Sequence, residues 1–222
     1  MGKQAISPSR VDEIVDAALR LFLERGYDNA PLSAVADRLG LTKAGVYHHF
    51  TTKEDLLFTS HQREVKRQLL PLLDELEAEP DPEKRLGKFI FKHARTLALE
   101  PATALLIREA RRLSPAHLAE IKKSWRRGFH ILRDSVLELQ SAGRCRTDVD
   151  AAYAAFAAIG MTNWIPFWFD PTRPRAADAM ARTMQALFMD GLLRCDVRSQ
   201  SDRQARRQPK RFSVGRKRLP RS

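Results

Sequence analysis

Between Thr42 and Phe50 the chain sets a threonine, a lysine, a tyrosine and two histidines beside two very small residues, Ala44 and Gly45. A hydroxyl, an ammonium, a phenol and imidazoles can all hydrogen-bond phosphate oxygens or base edges, and small side chains let a backbone approach a duplex. Upstream, Ala36, Gly40 and Val46 stand at offsets of 0, 4 and 10. Two helices that cross steeply need a small residue at the crossing and a turn residue free to take positive φ. They also need an apolar residue that packs the second helix back onto the first. The spacing reads as a helix-turn-helix whose second helix enters the major groove with its N-terminal residues against the bases. An ordinary helical hairpin shares the Ala-x-x-x-Gly spacing. What separates the readings is a short second helix with small, polar and aromatic outer residues. Val35, Ala36, Leu39, Val46 and Phe50 are then core, and His49 fits packing or contact, with packing favoured.

Catalytic chemistry finds little footing. Of six histidines only His48 and His49 are close in sequence. There is no Gly-x-Ser-x-Gly, no His-Glu-x-x-His, no phosphate-cradling glycine loop and no Cys/His cluster. Cys145 and Cys195 lie 50 residues apart without metal-ligand spacing. The expectation is a reduced, cytoplasmic protein that is not an enzyme and carries neither metal nor other cofactor. Nothing in the sequence is long and apolar enough to span a membrane, and Met1–Pro8 lacks a signal-peptide core.

The elements that must hold these residues read as helix throughout, with no strand alternation and no hairpin signal. Ser7-Pro8 predicts the cap of a first helix that Gly26 stops; Ser33 opens a second that Gly40 ends; Thr42 caps a third through Phe50. Thr52 precedes a long amphipathic segment to about Glu79. Asp81 caps the next helix, to about Glu100, and a short helix covers roughly 103–112. Ser114-Pro115 starts another, whose stripe is Leu118, Ile121, Trp125, Phe129, Leu132, Val136 and Leu139. Thr147-x-x-Asp150 resembles a capping box before the alanine-rich run 151–160. The last helix ends near Leu193. The fold class is all-α: about nine helices, with a three-helix head over residues 1–52, a body over 53–195 and a tail over 196–222.

Charge is unevenly shared. The net charge is +12, but 197–222 holds ten Lys or Arg against one acid, leaving 29 basic and 26 acidic residues elsewhere. Residues 1–52 carry six of each sign, so the head must grip DNA by placement of charge. The tail is polar and basic, and the expectation is disorder. It also keeps a second function open, that of a non-specific architectural DNA-binding protein.

Residues 10–57 resemble the head of the tetracycline-repressor (TetR/AcrR) family, through Leu41-Thr42-Lys43-Ala44-Gly45-Val46-Tyr47-His48-His49-Phe50, Lys53-Glu54-Asp55-Leu56-Leu57 and the earlier Ala17–Tyr27. The resemblance implies a homodimeric, sequence-specific transcriptional regulator on a palindromic double-stranded operator, usually a repressor, released when a small effector enters the body. Carried over position by position, Thr42, Lys43, Ala44 and Gly45 face bases or nearby phosphates, Tyr47 and His48 grip the backbone, and Lys53 and Ser33 meet phosphates. A tail beyond Val197 departs from the family pattern. Gly160-Met161-Thr162-Asn163-Trp164, Trp168-Phe169 and Asp190-Gly191-Leu192-Leu193 resemble a subgroup that responds to acyl-CoA thioesters. Pocket candidates are Phe89, His93, Leu97, Arg108, Trp125, Phe129, Asn163 and Trp164. Arg108, Arg111, Arg112, Lys122, Lys123, Arg126 and Arg127 are candidate phosphate partners. Dimerisation is expected through the last two helices, where alanines from Ala151 to Ala158 and Gly160 allow close approach, and Met180, Met184, Leu187, Phe188 and Leu192 form a seam.

Overall fold

The computed structural model of the protein describes residues 9–193. The expectations for Ser7-Pro8, Cys195 and the basic tail lie outside them. Among the described residues there are nine helices and no strand. The head contains α1 (Arg10–Arg25), α2 (Leu32–Leu39) and α3 (Lys43–Tyr47). Then come α4 (Lys53–Glu64, continued by a π turn at Val65–Leu69 and by Leu70–Glu77), α5 (Pro82–Leu99) and α6 (Pro101–Glu109, tightening to a 3₁₀ turn at Ala110–Arg112). The chain finishes with α7 (Pro115–Ser141), α8 (Ala151–Asn163, with a 3₁₀ turn at Ile165–Phe167) and α9 (Pro174–Leu193).

Capping chemistry accounts for most starts. Ser9 caps α1 in a reciprocal box with Asp12, so the helix begins at Arg10. Leu32, one residue before Ser33, begins α2, and no side chain caps it. Thr52 and Asp55 form the box of α4, and Asp81 and Ser114 cap α5 and α7 as expected. Before α8 the Thr147 box does not form. The cap is Asp150, whose carboxylate accepts from the Ala152 and Tyr153 N–H groups, because a short carboxylate beside the first turn reaches two free donors at once.

The long fourth helix hides an irregularity. Pro71 has no N–H to give the carbonyl one turn back, and its ring crowds that carbonyl. The helix responds by widening, so that the Leu70 N–H donates five residues back, to Val65. This widened turn sits where α4 leaves the head.

One core joins Ile14, Val15, Leu21, Phe22, Val35, Ala36, Val46 and Phe50 to Leu56 and Leu57 of α4 and to Leu105 and Leu106 of α6. The head's apolar centre therefore runs past residue 52 into the body. A second core centres on Leu73, Leu76, Leu86, Ile90, Leu132, Val136 and Leu139. Helix α9 lies close against α5. A Cβ at Gly87 would sit 2.7 Å from the Gln185 amide nitrogen, so a larger residue here would have to push aside the end of that side chain.

Candidate DNA-reading head and effector cavity

The turn between α2 and α3 is set by Gly40, which holds φ 62° and donates its N–H to Ala36 and Asp37. Ala36 and Val46 are fully buried, as the crossing demands. The Thr42 hydroxyl oxygen accepts the Gly45 N–H at 3.1 Å, leaving its own O–H free to donate outward. A Cβ at Gly45 would lie 3.3 Å from that oxygen, so Gly45 also keeps room for the cap. Thr42, Lys43, Ala44, Tyr47 and His48 are exposed, while Ser33 and Gly45 are half-buried. Helix α3 is thus anchored by Val46 and presents its other faces to solvent. His49 departs from the favoured reading. It is exposed and lies edge-on to His48 at 5.3 Å, because Val46 and Phe50 already fill the inward face.

Lys53 also differs from its expected role. Its ammonium sits 4.1 Å over the Tyr27 ring and donates to the Asp28 carbonyl at 3.2 Å. Burial, set against the Asp28 charge, holds its pKa below the usual lysine range. In this conformation the cation stiffens the junction of α1 and α4 and does not face outward with Lys43. Arg38 is likewise occupied, by a two-pronged pair with Glu24 that ties α2 to α1 at 2.8 and 2.9 Å.

The head meets the body through polar contacts at its rim. The Ser114 N–H and His117 Nδ1 reach Glu54 at 2.8 and 2.9 Å, and the His117 ring stacks on Phe58 at 3.8 Å. Arg112 pairs with both oxygens of Asp28. Glu54, Asp55 and His117 bring ligand-type atoms within 4.8 Å of one another, but Glu54 is engaged by Ser114 and His117, and Asp55 by the Thr52 N–H. Their contacts are those of a cap and a latch.

Below this junction lies a cavity of about 820 Å³ between α4, α5, α6, α7 and α8. Of the predicted pocket residues, Phe89, His93, Trp125, Phe129 and Asn163 line it. Leu97, Arg108 and Trp164 do not; they line a smaller chamber of about 470 Å³, and Asn163 borders both. The division arises because Leu97 lies one helical turn past His93 on α5, and Trp164 follows the last residue of α8. His93 Nε2 meets Asn163 Oδ1 at 3.2 Å and its ring stacks on Phe89 at 4.9 Å. Burial depresses its pKa to about 4, partly offset by Asn163, so the ring is neutral near pH 7.

Sequence reasoning missed His61 and Glu64. Both are buried and line the cavity, and Glu64 accepts from Thr103 and from Arg67. The signal was available: the two positions continue the apolar stripe of α4 from Leu57, where polar residues stand out. Burial lowers the His61 pKa to about 4, against a backbone hydrogen bond at Leu106.

Of the seven candidate phosphate partners, Arg108 and Arg112 pair with Glu109, Lys123 with Glu120, and Arg127 with Asp74 and Glu77, while Arg111 is exposed and lines neither cavity. Lys122 and Arg126 are exposed, form no ion pair among the described residues and stand on the cavity's rim, with His130 one turn on. The alanines of α8 divide in the same way. Ala151, Ala154, Ala155 and Ala158 pack into the body, so they do not face outward as expected, while Tyr153, Phe156, Ala157 and Gly160 do.

Residues 14–59 match the sequence profile described as bacterial regulatory proteins, tetR family, and residues 79–192 match tetracyclin repressor-like, C-terminal domain. The transcriptional repressor KstR2 of Mycolicibacterium smegmatis is 26% identical over 212 residues, covering 89% of this chain and 95% of its own. The TetR-family regulator PfmR of Thermus thermophilus is 30% identical, with a TM-score of 0.73 over 81% of this chain and 98% of its own. AibR, in complex with isovaleryl coenzyme A and operator DNA, is 25% identical, with a TM-score of 0.73 over 81% of this chain and 97% of its own.

Proposed function

We propose, for a chain that belongs to the tetR family of bacterial transcriptional regulators, that it is a homodimeric repressor released from a palindromic operator by an amphipathic acyl-CoA-type effector. The observation that carries this reading is a continuous physical path from a solvent-facing α3 to an apolar cavity with an unpaired cationic rim. Helix α4 supplies Lys53 and Glu54 to the head, and His61, Glu64 and Val65 to the cavity. Helix α7 grips Glu54 with its first turn and lines the cavity with Trp125 and Phe129.

Thr42, Lys43, Ala44 and Gly45 read the groove, and Ser33, Tyr47 and His48 hold the backbone; Lys53 serves them by fixing the start of α4. The interior of the cavity is mostly aromatic and aliphatic, with neutral imidazoles at His61 and His93 and with the Glu64 carboxylate held by Arg67 and Thr103, which suits an acyl chain. Lys122 and Arg126 suit the phosphates of a coenzyme A moiety at its edge. The AibR complex supports this pairing of thioester and operator, and KstR2 supports repression. Both supports lie against the architectural alternative. The outer faces of α8 and α9, with Tyr153 and Leu187 exposed, serve as the two-fold interface.

The test is selection of bound fragments from random DNA, followed by fluorescence anisotropy on the recovered site with and without thioesters and their free acids. A palindromic consensus and a thioester-dependent loss of affinity are expected. Binding without site preference, or indifference to every thioester, overturns the reading.

A further inference from the structure

The large cavity and the smaller chamber share two lining residues, Ile107 of α6 and Asn163 at the end of α8. The two spaces adjoin at one aliphatic side chain and one amide, and the amide contacts His93 through one hydrogen bond at 3.2 Å. Beyond it, the smaller chamber reaches the DNA-binding head, because Leu23 of α1 forms part of its lining, with Trp164 and Phe167 also lining it. Leu23 is 46% exposed, so this apolar residue of the head is not used by the head's own core. Gly160, one turn before Asn163, borders the chamber, and a Cβ built there meets no atom within 4 Å. The segment Gly160–Trp164 then acquires a physical reading. Gly160 leaves the chamber open, Asn163 divides it from the cavity, and Trp164, stacked on Phe167 at 4.4 Å, forms part of its wall.

We propose that the two chambers form one site for an elongated anionic amphiphile, whose apolar chain, when long enough, displaces the Asn163 amide, passes Ile107 and seats against Leu23 of the head. This inference rests on the effector reading above and adds a chain-length requirement to it. The charged group stays at Lys122 and Arg126, on the first chamber, and the chain runs away from them. Short chains fill the first chamber alone. Only a chain that reaches Leu23 touches α1 directly, and only differential contact with the two states of the head shifts their equilibrium.

The test uses the full-length protein and straight-chain acyl-CoA thioesters from butyryl to palmitoyl, with and without operator. Trp125 lines the first chamber and Trp164 the second, so variants that retain one or the other report each occupancy by fluorescence. Short thioesters are expected to alter Trp125 emission and leave operator affinity within about twofold; past a threshold length Trp164 responds and affinity falls about tenfold or more. Gly160→Leu and Ala104→Leu fill the second chamber from α8 and α6 respectively, and each is expected to keep short-chain binding and lose long-chain release. Two variants are needed because Gly160 also lies on the outer face of α8; thermal melting and sedimentation identify the one that remains folded and dimeric. Release by short chains as strong as by long ones, or undiminished long-chain release in a folded variant, overturns the two-chamber site and leaves the effector reading standing. Absence of thioester binding at every length overturns both.

Discussion

Lys43 and Tyr47 are exposed on a helix whose single buried residue is Val46, so their removal changes what α3 offers to DNA and little of what holds it. Lys43→Ala is expected to weaken operator binding and reduce the salt slope by about 1, on the reading that its ammonium meets a phosphate beside the bases it faces. Tyr47→Phe removes only the phenolic hydroxyl and is expected to weaken binding on all sequences alike. Anisotropy at several salt concentrations reads both, and affinity equal to wild type in the pair would remove α3 from the interface. A different balance governs His61. Its ring is neutral in the fold, with a pKa near 4 against an ordinary 6.5, so the unfolded chain binds more protons between those values. Its contribution is therefore present above about pH 6.5 and lost as pH falls towards 4, at most roughly 3 kcal/mol. His93 adds a loss of the same sign. His61→Leu removes the titrating ring, with its buried and unpartnered Nε2, and is expected to flatten the acid limb. Urea midpoints measured from neutral to acid pH test this; an unchanged slope contradicts it.

At the scale of elements, the turn between α2 and α3 concentrates the specification of the head in two residues. Gly40 sits at φ 62° with open space where a Cβ would go, so Gly40→Ala introduces backbone strain without a clash. The cost is about 1–2 kcal/mol, the left-handed penalty for an L side chain, and Tm is expected to fall by about 2–4 °C per kcal/mol. Thr42→Ala removes the α3 cap at a cost of about 1 kcal/mol. The Thr42 change is expected to reduce operator binding more than its thermal cost explains, because the proposed reading puts the same hydroxyl against the groove. Calorimetry paired with anisotropy separates the two effects, and proportional losses in both variants would confine Thr42 to capping. The π turn of α4 belongs to the same scale. Pro71 obliges it, and it lies between Glu54, which holds the head to α7, and Leu72, which lines the cavity.

For the whole molecule, the proposed function turns on how two heads would be spaced. A palindrome presents its half-sites one helical turn or a multiple of it apart, and a rigid two-fold pairing would match that distance. Leu187 on α9 is 71% exposed and Tyr153 on α8 is 74% exposed, so both are open to a partner on the proposed two-fold interface. Leu187→Glu is expected to shift the protein to monomer in analytical ultracentrifugation. With it, operator affinity should fall towards that of a half-site while the thermal melt of the monomer stays cooperative. A dimer of unchanged strength would move the interface away from α9.

How much of this could be read along the chain depends on the range of the forces involved. Helix starts and stops, the Gly40 turn and the exposed pattern of α3 were legible because a cap, a positive φ and a 3.6-residue period act within one or two turns. Short-range choices among several caps were less so, as Ser9 and Asp150 demonstrate. The cavity lay further out of reach. Five predicted pocket residues meet in it, but His61 and Glu64 join them from the amphipathic helix after Thr52, where no pocket residue was expected. Leu97, Arg108 and Trp164 belong to the adjoining chamber. Nor could charge counting find the free cations, since Arg127 and Arg112 are neutralised by acids 50 and 84 residues away. A sequence determines which faces of its helices are apolar and where each helix ends. Which faces meet, and which charges are thereby paired or left bare, is decided only when long-range packing closes the bundle.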